Sequence, residues 1–152
     1  MGPAVADGEL ERLLGRSALV VDAVFGTGFS GALPQHLPPL FDAVRSSGLP
    51  VVALDAPSGV DLDTGLCDES TLPAAQTLAF ACLKPGHLLK SSSGKCGHST
   101  VIDIGITDEQ LAQAGAFCRF GPRRRVAGAA APPARRAQGA ALAVCSPSAA
   151  AN

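Results

Sequence analysis

Four acids stand near places where an apolar run gives way to glycine: Asp22, Asp55, Asp61 and Asp63. Asp22 lies inside the apolar run Val20–Phe25, just before Gly26-Thr27-Gly28. A strand buried on both faces avoids an unpaired charge. Either this carboxylate sits at an exposed strand end, or something positive meets it. Asp55 closes Val51–Leu54 and precedes Pro57-Ser58-Gly59. An acid at the C-terminal end of a parallel strand can hold a hydroxyl, a metal or a reacting proton. The competing role for Asp55 is an Asx-type bond that caps its turn. For Asp61 and Asp63 loop capping is the expected role. Asp22 and Ser58 offer oxygens of the kind that hard cations take.

The other chemistry-bearing residues give weaker signals. Gly26-Thr27-Gly28 with Ser30-Gly31 is a flexible loop after a strand, and glycines let backbone N–H groups approach a phosphate. The spacing matches neither GxGxxG nor GxxxxGKS, so an ordinary tight turn stays open as the alternative. His36, His87 and His98 show no metal-ligand spacing and read as surface or loop residues. Lys84 in Leu83-Lys84-Pro85-Gly86 could reach a phosphate, or simply start a loop. Cys82 and Cys96 have no histidine partner in sequence that would mark a nucleophile.

The elements that must position these residues follow from patterning. GELERLLGR (8–16) has leucines at helical spacing. ALVVDAVF (18–25) reads as a continuously buried parallel strand. HLPPLFDAVRSSG (36–48) places Leu40, Phe41 and Val44 on one helical face, with Gly48 as the stop. LPVVALDAP (49–57), TLAFAC (77–82) and STVIDIG (99–105) read as further strands. TLPAAQ (71–76) suits one short helical turn, LKPGHLLKSSSGKCG (83–97) a long loop, and ITDEQLAQAG (106–115) a short helix capped by Thr107. Strand, helix and strand at these separations imply βαβ crossovers and a parallel sheet, whose ligand crevice lies beyond the C-terminal strand ends. Gly26–Ala32 and Asp55–Ser58 should therefore be neighbours.

Composition narrows the function classes. The chain has 152 residues, 47% hydrophobic and 16% charged, enough for one core. A net charge of −1, six phenylalanines and no Tyr or Trp argue against a nucleic-acid partner. No run of about 18 apolar residues marks a membrane span, so no membrane partner is expected. No signal peptide is visible, and Ala6 breaks a myristoylation motif. Five cysteines without a CxxC pair read as reduced thiols in a cytoplasmic protein.

Taken together, Val20 through Gly28, Gly48 through Asp61, and Thr64-Gly65 resemble the NAD(P)H-hydrate epimerase family, the YjeF N-terminal domain. Thr77-Leu78-Ala79-Phe80, Leu83-Lys84-Pro85-Gly86 and Val101 through Ile106 continue the resemblance in order over roughly residues 8–118. It implies an α/β fold, a Rossmann-like three-layer αβα sandwich with a mostly parallel sheet. It implies an isomerase that interconverts the R and S forms of hydrated NADH and NADPH, which carry a hydroxyl at C6 of the reduced nicotinamide ring. It also implies a small-molecule substrate, a bound potassium ion and, since members are often dimers, a homodimer. Position by position, Asp22 and Ser58 resemble the family's potassium ligands. Gly26, Thr27, Gly28, Phe29, Ser30, Gly31 and Ala32 resemble the loop that holds the substrate's phosphates. Asp55 resembles the acid that contacts the substrate and is the residue expected nearest the chemistry.

The family's Gly-Asn-Asn-Gly-Gly-Asp loop has no counterpart here. The expectation is accordingly a partial epimerase-like domain over residues 1–118, truncated at its N-terminus. Residues 119–152 are rich in Ala, Arg, Pro and Gly and are expected to be a low-complexity, disordered tail. The alternative function is a non-catalytic nucleotide-binding or scaffold remnant of the same fold.

Overall fold

The computed structural model describes residues 8–113 and 141–145. Four strands, β1 (Leu19–Ala23), β2 (Val51–Leu54), β3 (Gln76–Phe80) and β4 (His98–Ile102), form a parallel sheet in the order β4-β3-β2-β1. A fifth, β5 (Ala141–Cys145), pairs antiparallel with the free edge of β1, Asp22 opposite Leu142. The fold is the expected Rossmann-like α/β type with a mostly parallel sheet. Because β1, β2 and β3 run the same way side by side, the loops after Ala23, Leu54 and Phe80 leave from one edge.

Burial along β1 corrects one expectation. Instead of a continuous buried run, it alternates, with Val20 and Asp22 fully buried and Leu19, Val21 and Ala23 partly covered. Asp22 therefore points to the same side as Val20, whose side chain belongs to the main core with Leu14, Leu37, Phe41, Val44 and Val51.

The helices are α1 (Glu9–Leu14), α2 (Leu37–Ser47), α3 (Pro85–Leu88), α4 (Lys90–Cys96) and α5 (Asp108–Gln113). α2 buries Leu37, Phe41 and Val44 and stops at Gly48, whose φ of 69° suits glycine. α5 opens with a reciprocal cap: Gln110 N–H donates to Thr107 Oγ1, and Thr107 N–H donates to Gln110 Oε1.

Two further expectations change. Residues 83–97 are two short helices, α3 and α4, because Pro85 suits a first helical turn and Gly97 ends the second. Residues 71–76 form no helical turn; Ala74 N–H bonds the Lys95 carbonyl, Ala75 N–H bonds the Val51 carbonyl, and the chain enters β3 at Gln76. Within residues 119–152, Ala141–Cys145 is a strand, since the open edge of β1 supplies the backbone partners that a short Ala-rich piece lacks by itself. The rest of 119–152 lies outside the described residues.

Candidate functional site at the sheet's C-terminal edge

Adjacent strands β2 and β3 end in the same uncommon way. Asp55 has a φ of 65° and Ala81 a φ of 64°. Each is spanned by a bond between its neighbours, Ala56 N–H to the Leu54 carbonyl at 2.8 Å and Cys82 N–H to the Phe80 carbonyl at 2.7 Å. These are γ-turns of the positive-φ kind, rare and strained for residues that carry a Cβ. The turn at Asp55 swings its carboxylate out of the strand's alternation and along the sheet edge.

Three segments then converge on that carboxylate. Thr27, from the loop after β1, donates its N–H (2.8 Å) and hydroxyl (2.5 Å) to Asp55 Oδ2. Lys84, from the loop after β3, places Nζ 2.6 Å from Asp55 Oδ1 and 3.0 Å from the Phe80 carbonyl. Phe80 N–H adds a longer contact to Oδ1 at 3.4 Å. Burial alone favours the neutral acid, but the bonds from Lys84 and Thr27 outweigh it and hold the Asp55 pKa below the ordinary carboxylate value. The pair stays reachable, with side chains 12% (Asp55) and 20% (Lys84) exposed. Gly26 is required by this packing, because a Cβ there would stand 2.9 Å from Asp55 Oδ2.

Asp22 is a different kind of acid. Its Oδ2 accepts the Ser58 N–H at 2.7 Å, and its Oδ1 accepts the Ser58 hydroxyl at 2.6 Å and the Val24 N–H at 3.3 Å. Ser58 Oγ in turn accepts the Phe25 N–H at 2.9 Å. This pair ties the start of the β1 loop to the start of the β2 loop. Burial raises the Asp22 pKa, and the bonds from Ser58 and Val24 only partly offset it. The fit of Asp22 and Ser58 to a cation can be judged from the donors themselves. They are oxygens, one carboxylate and one hydroxyl, with the Phe25 carbonyl 3.5 Å from Ser58 Oγ. In kind they suit a hard monovalent ion beside a desolvated carboxylate. In number they form part of a shell, since large hard cations take about six or more oxygens. Among the described residues no group of three or more His, Cys, Asp or Glu side chains could hold a metal ion.

The loop 26–32 divides its labour. Thr27 N–H serves Asp55 and Phe29 N–H bonds the Gly26 carbonyl at 3.2 Å. Gly28 and Gly31, with φ of 98° and 83°, have open space around their Cα atoms. The Phe29 ring packs on Phe25, with centroids 5.2 Å apart. Gly28, Ser30, Gly31 and Ala32 are free to turn N–H groups outward, since no hydrogen bond joins these groups to described residues. Asp61 caps its loop through the N–H groups of Asp63 and Thr64, both at 2.9 Å.

Two contributors escaped the sequence pattern. Lys84, legible only as a loop start or a phosphate contact, is the cation of the Asp55 pair. His87, read as a surface or loop residue, is 3% exposed and stands behind that pair, whereas His36 and His98 are exposed as expected. The signal for both was the compact Lys-Pro-Gly-His order. Gly86 lies so close to the Asp61–Leu62 backbone that a Cβ would meet the Leu62 Cα at 2.6 Å, which pins Lys84 and His87 against the β2 loop.

Residues 3–86 match the family model described as YjeF-related protein N-terminus. The bifunctional NAD(P)H-hydrate repair enzyme Nnr of Mycobacterium leprae is 40% identical over 97 residues, 64% of this chain and 20% of that protein. The NAD(P)H-hydrate epimerase of Weissella koreensis is 39% identical over 88 residues, 58% of this chain and 40% of that protein. The chain thus spans about a fifth to two fifths of the length of these curated relatives. The crystal structure of the yeast protein ynu0 superposes with a TM-score of 0.54 at 22% identity, covering 76% of this chain and 48% of that one, which supports the fold. With more than half of its residues inside the family model, the chain belongs to the family of YjeF-related protein N-termini.

Proposed function

We propose that this chain works in an NAD(P)H-hydrate epimerase, with Asp55 and Lys84 as the acid–base pair and the 26–32 loop as the phosphate cradle. The observation that carries the reading is the Asp55–Lys84 ion pair at the C-terminal sheet edge, where ligands of such sheets bind. The relatives' names supply the substrate class.

The chemistry follows from the substrate's carbon. C6 of the hydrated ring bears both a hydroxyl and the ring nitrogen, so it inverts if one of those bonds opens and re-forms. Asp55 takes the hydroxyl proton as the C6–N1 electron pair moves onto nitrogen, and Lys84 gives that nitrogen a proton. The aldehyde carbon turns, and the same transfers in reverse close the ring on its other face. Each group helps the other. While Lys84 holds its proton it lowers the basicity of Asp55, and as that proton leaves, Asp55 becomes the stronger base. Thr27 keeps the carboxylate aimed throughout.

Potassium belongs to the same proposal. Asp22 and Ser58 would hold it, and a cation there would offset the buried carboxylate and favour a diphosphate at the neighbouring loop. The thermal midpoint of the full chain should rise in potassium relative to choline, and this response should vanish in Asp22→Asn. The reading also includes a homodimer and the cytoplasm, where Cys67, Cys82 and Cys96 stay free thiols. Among the described residues no helix is long and apolar enough to cross a membrane.

The deciding experiment mixes the full chain with the separated R form of hydrated NADH and follows the S form by chromatography. Interconversion that Asp55→Asn abolishes supports the reading. A folded chain that binds the nucleotide without interconverting it overturns catalysis and leaves a binding role.

A further inference from the structure

His87 lies on α3, 32 residues from Asp55 in sequence, yet it touches both members of the ion pair through the backbone. Its Nδ1 is 2.9 Å from the Lys84 N–H, and its Nε2 is 2.7 Å from the Asp55 carbonyl oxygen. These partners fix the ring's protonation without further assumption. An amide N–H only donates, so Nδ1 must be an acceptor. A carbonyl oxygen only accepts, so Nε2 must carry the hydrogen. The ring is therefore the neutral Nε2–H form.

We propose that His87 is a positioning residue for the Asp55–Lys84 pair, joining the strained turn that aims Asp55 to the loop that delivers Lys84. Four contacts support the brace. Gly86 N–H bonds the Leu62 carbonyl at 2.7 Å, and the Ser92 hydroxyl on α4 bonds the Gly86 carbonyl. Leu89 N–H returns to the Pro85 carbonyl at 3.0 Å. Asp55 N–H bonds the Leu78 carbonyl at 2.8 Å, so the turn is held from the strand side as well. With both of its ends anchored, the imidazole sets the distance between the Asp55 backbone and the Lys84 backbone, and through it the reach of Nζ to the carboxylate.

The same geometry makes the brace sensitive to acid. A proton on Nδ1 would face the Lys84 N–H, two donors against each other, and Lys84 would have to move. The charged groups facing the ring are the Asp55 carboxylate and the Lys84 ammonium. On α4 the nearby Cys96 thiol, pushed up to about 11 chiefly by burial, stays neutral across the relevant range. Burial, with Lys84 adding to it, lowers the His87 pKa below its usual value, so the neutral form prevails at pH 7.

The catalytic consequence rests on the epimerase reading; the structural one does not. Ring nitrogen NMR of the full chain at pH 7 should show Nδ1 bare and Nε2 protonated. His87→Ala should shift the Lys84 amide and ammonium signals. It should lower kcat about tenfold to a hundredfold with a smaller change in KM, the scale of a misplaced reacting group. His87→Gln, which keeps one donor and one acceptor, should recover most of kcat while losing the acid limb of the pH profile that His87 imposes. An imidazolium or an Nδ1–H ring at pH 7 overturns the proposal. So does a His87→Ala protein whose Lys84 signals and pH profile match the parent. If the parent itself fails to epimerise, the function proposed above falls, and the ring and Lys84 signals still decide the role of His87.

Discussion

Asp22 lies in one parallel strand and Asp55 just past the end of its neighbour, yet their surroundings are opposite. Asp22 lies inside β1, faces the interior, and receives only neutral donors, from Ser58 and Val24. Asp55 lies one residue past β2, faces the sheet edge, and receives an ammonium as well as Thr27. Burial raises the pKa of the first, whereas donors overcome burial and lower that of the second. One residue of strand length and one γ-turn separate an acid that joins two loops from an acid that meets an ammonium at the sheet edge. The difference shows that residue type and strand number do not define the role; the donors and the exit from the strand do.

The largest expected effect tests the Asp55 side. Asp55→Asn keeps the side-chain size and tolerates the positive φ, so the fold should persist. Epimerisation should fall by about 10²- to 10⁴-fold, the usual worth of a general base. Circular dichroism and the unfolding midpoint should change little. A variant that unfolds instead would break the comparison, because Asp55 would then be the structural acid.

Next comes Ser58→Ala, which tests the Asp22 side. It strips the hydroxyl from Asp22 and leaves the Phe25 N–H without its acceptor. Leaving a buried polar group unpaired costs about 1–3 kcal/mol, to be read from denaturant midpoints at unchanged m. Any loss of activity should appear mainly in KM, since the loops it ties are the ones that would cradle the substrate. A fall in kcat alone, at unchanged stability, would assign Ser58 to the chemistry.

Much of this contrast was legible in the sequence, and the illegible part has a physical cause. The apolar runs around Val20, Val51 and Leu78 announced parallel strands, and the edge rule then brought the Gly26 loop beside Asp55. The pairing of Asp22 with Ser58 was visible only as two oxygen donors. Their mutual bonds depend on how the β1 and β2 loops leave the sheet, which no local pattern encodes. Lys84 and His87 were hidden for a related reason. Their partners lie 29 and 32 residues away, and the contact exists because Gly86 lets α3 press against the Leu62 backbone. A strand written as alternating rather than continuous apolar residues would have shown which side Asp22 faces. The isolated acid at an otherwise buried position concealed that alternation.

Gly86→Ala tests that hidden contact directly. The added Cβ would meet the Leu62 backbone and the Asp61 carbonyl at 2.8 Å, neither of which is a flexible side-chain end. Overpacking of this kind costs about 1–3 kcal/mol. Because α3 carries His87 and starts directly after Lys84, the displacement should also weaken the ion pair. Stability and kcat should therefore fall together, unlike in Asp55→Asn. Loss of stability with an unaltered Lys84 ammonium signal would show that the pair does not depend on α3.

The smallest expected effect is in the pH dependence of stability, and its sign separates the two acids' environments. The folded state holds the Asp55 pKa below its unfolded value near 3.8. In that direction the unfolded chain binds the extra proton first, so stability rises with pH through this window. The contribution of Asp55 is complete above the unfolded value and disappears as pH falls through the lowered folded value. Lys84→Met removes the ammonium while keeping a long apolar stem, and Asp55 then retains only Thr27 and Phe80 as donors against its burial. The acid-side slope of unfolding free energy should flatten in Lys84→Met, with the plateau near pH 7 lowered slightly. An unchanged slope would mean that Thr27 alone keeps Asp55 ionised. The contrast between the two acids would then rest on the γ-turn that exposes Asp55 rather than on the cation beside it.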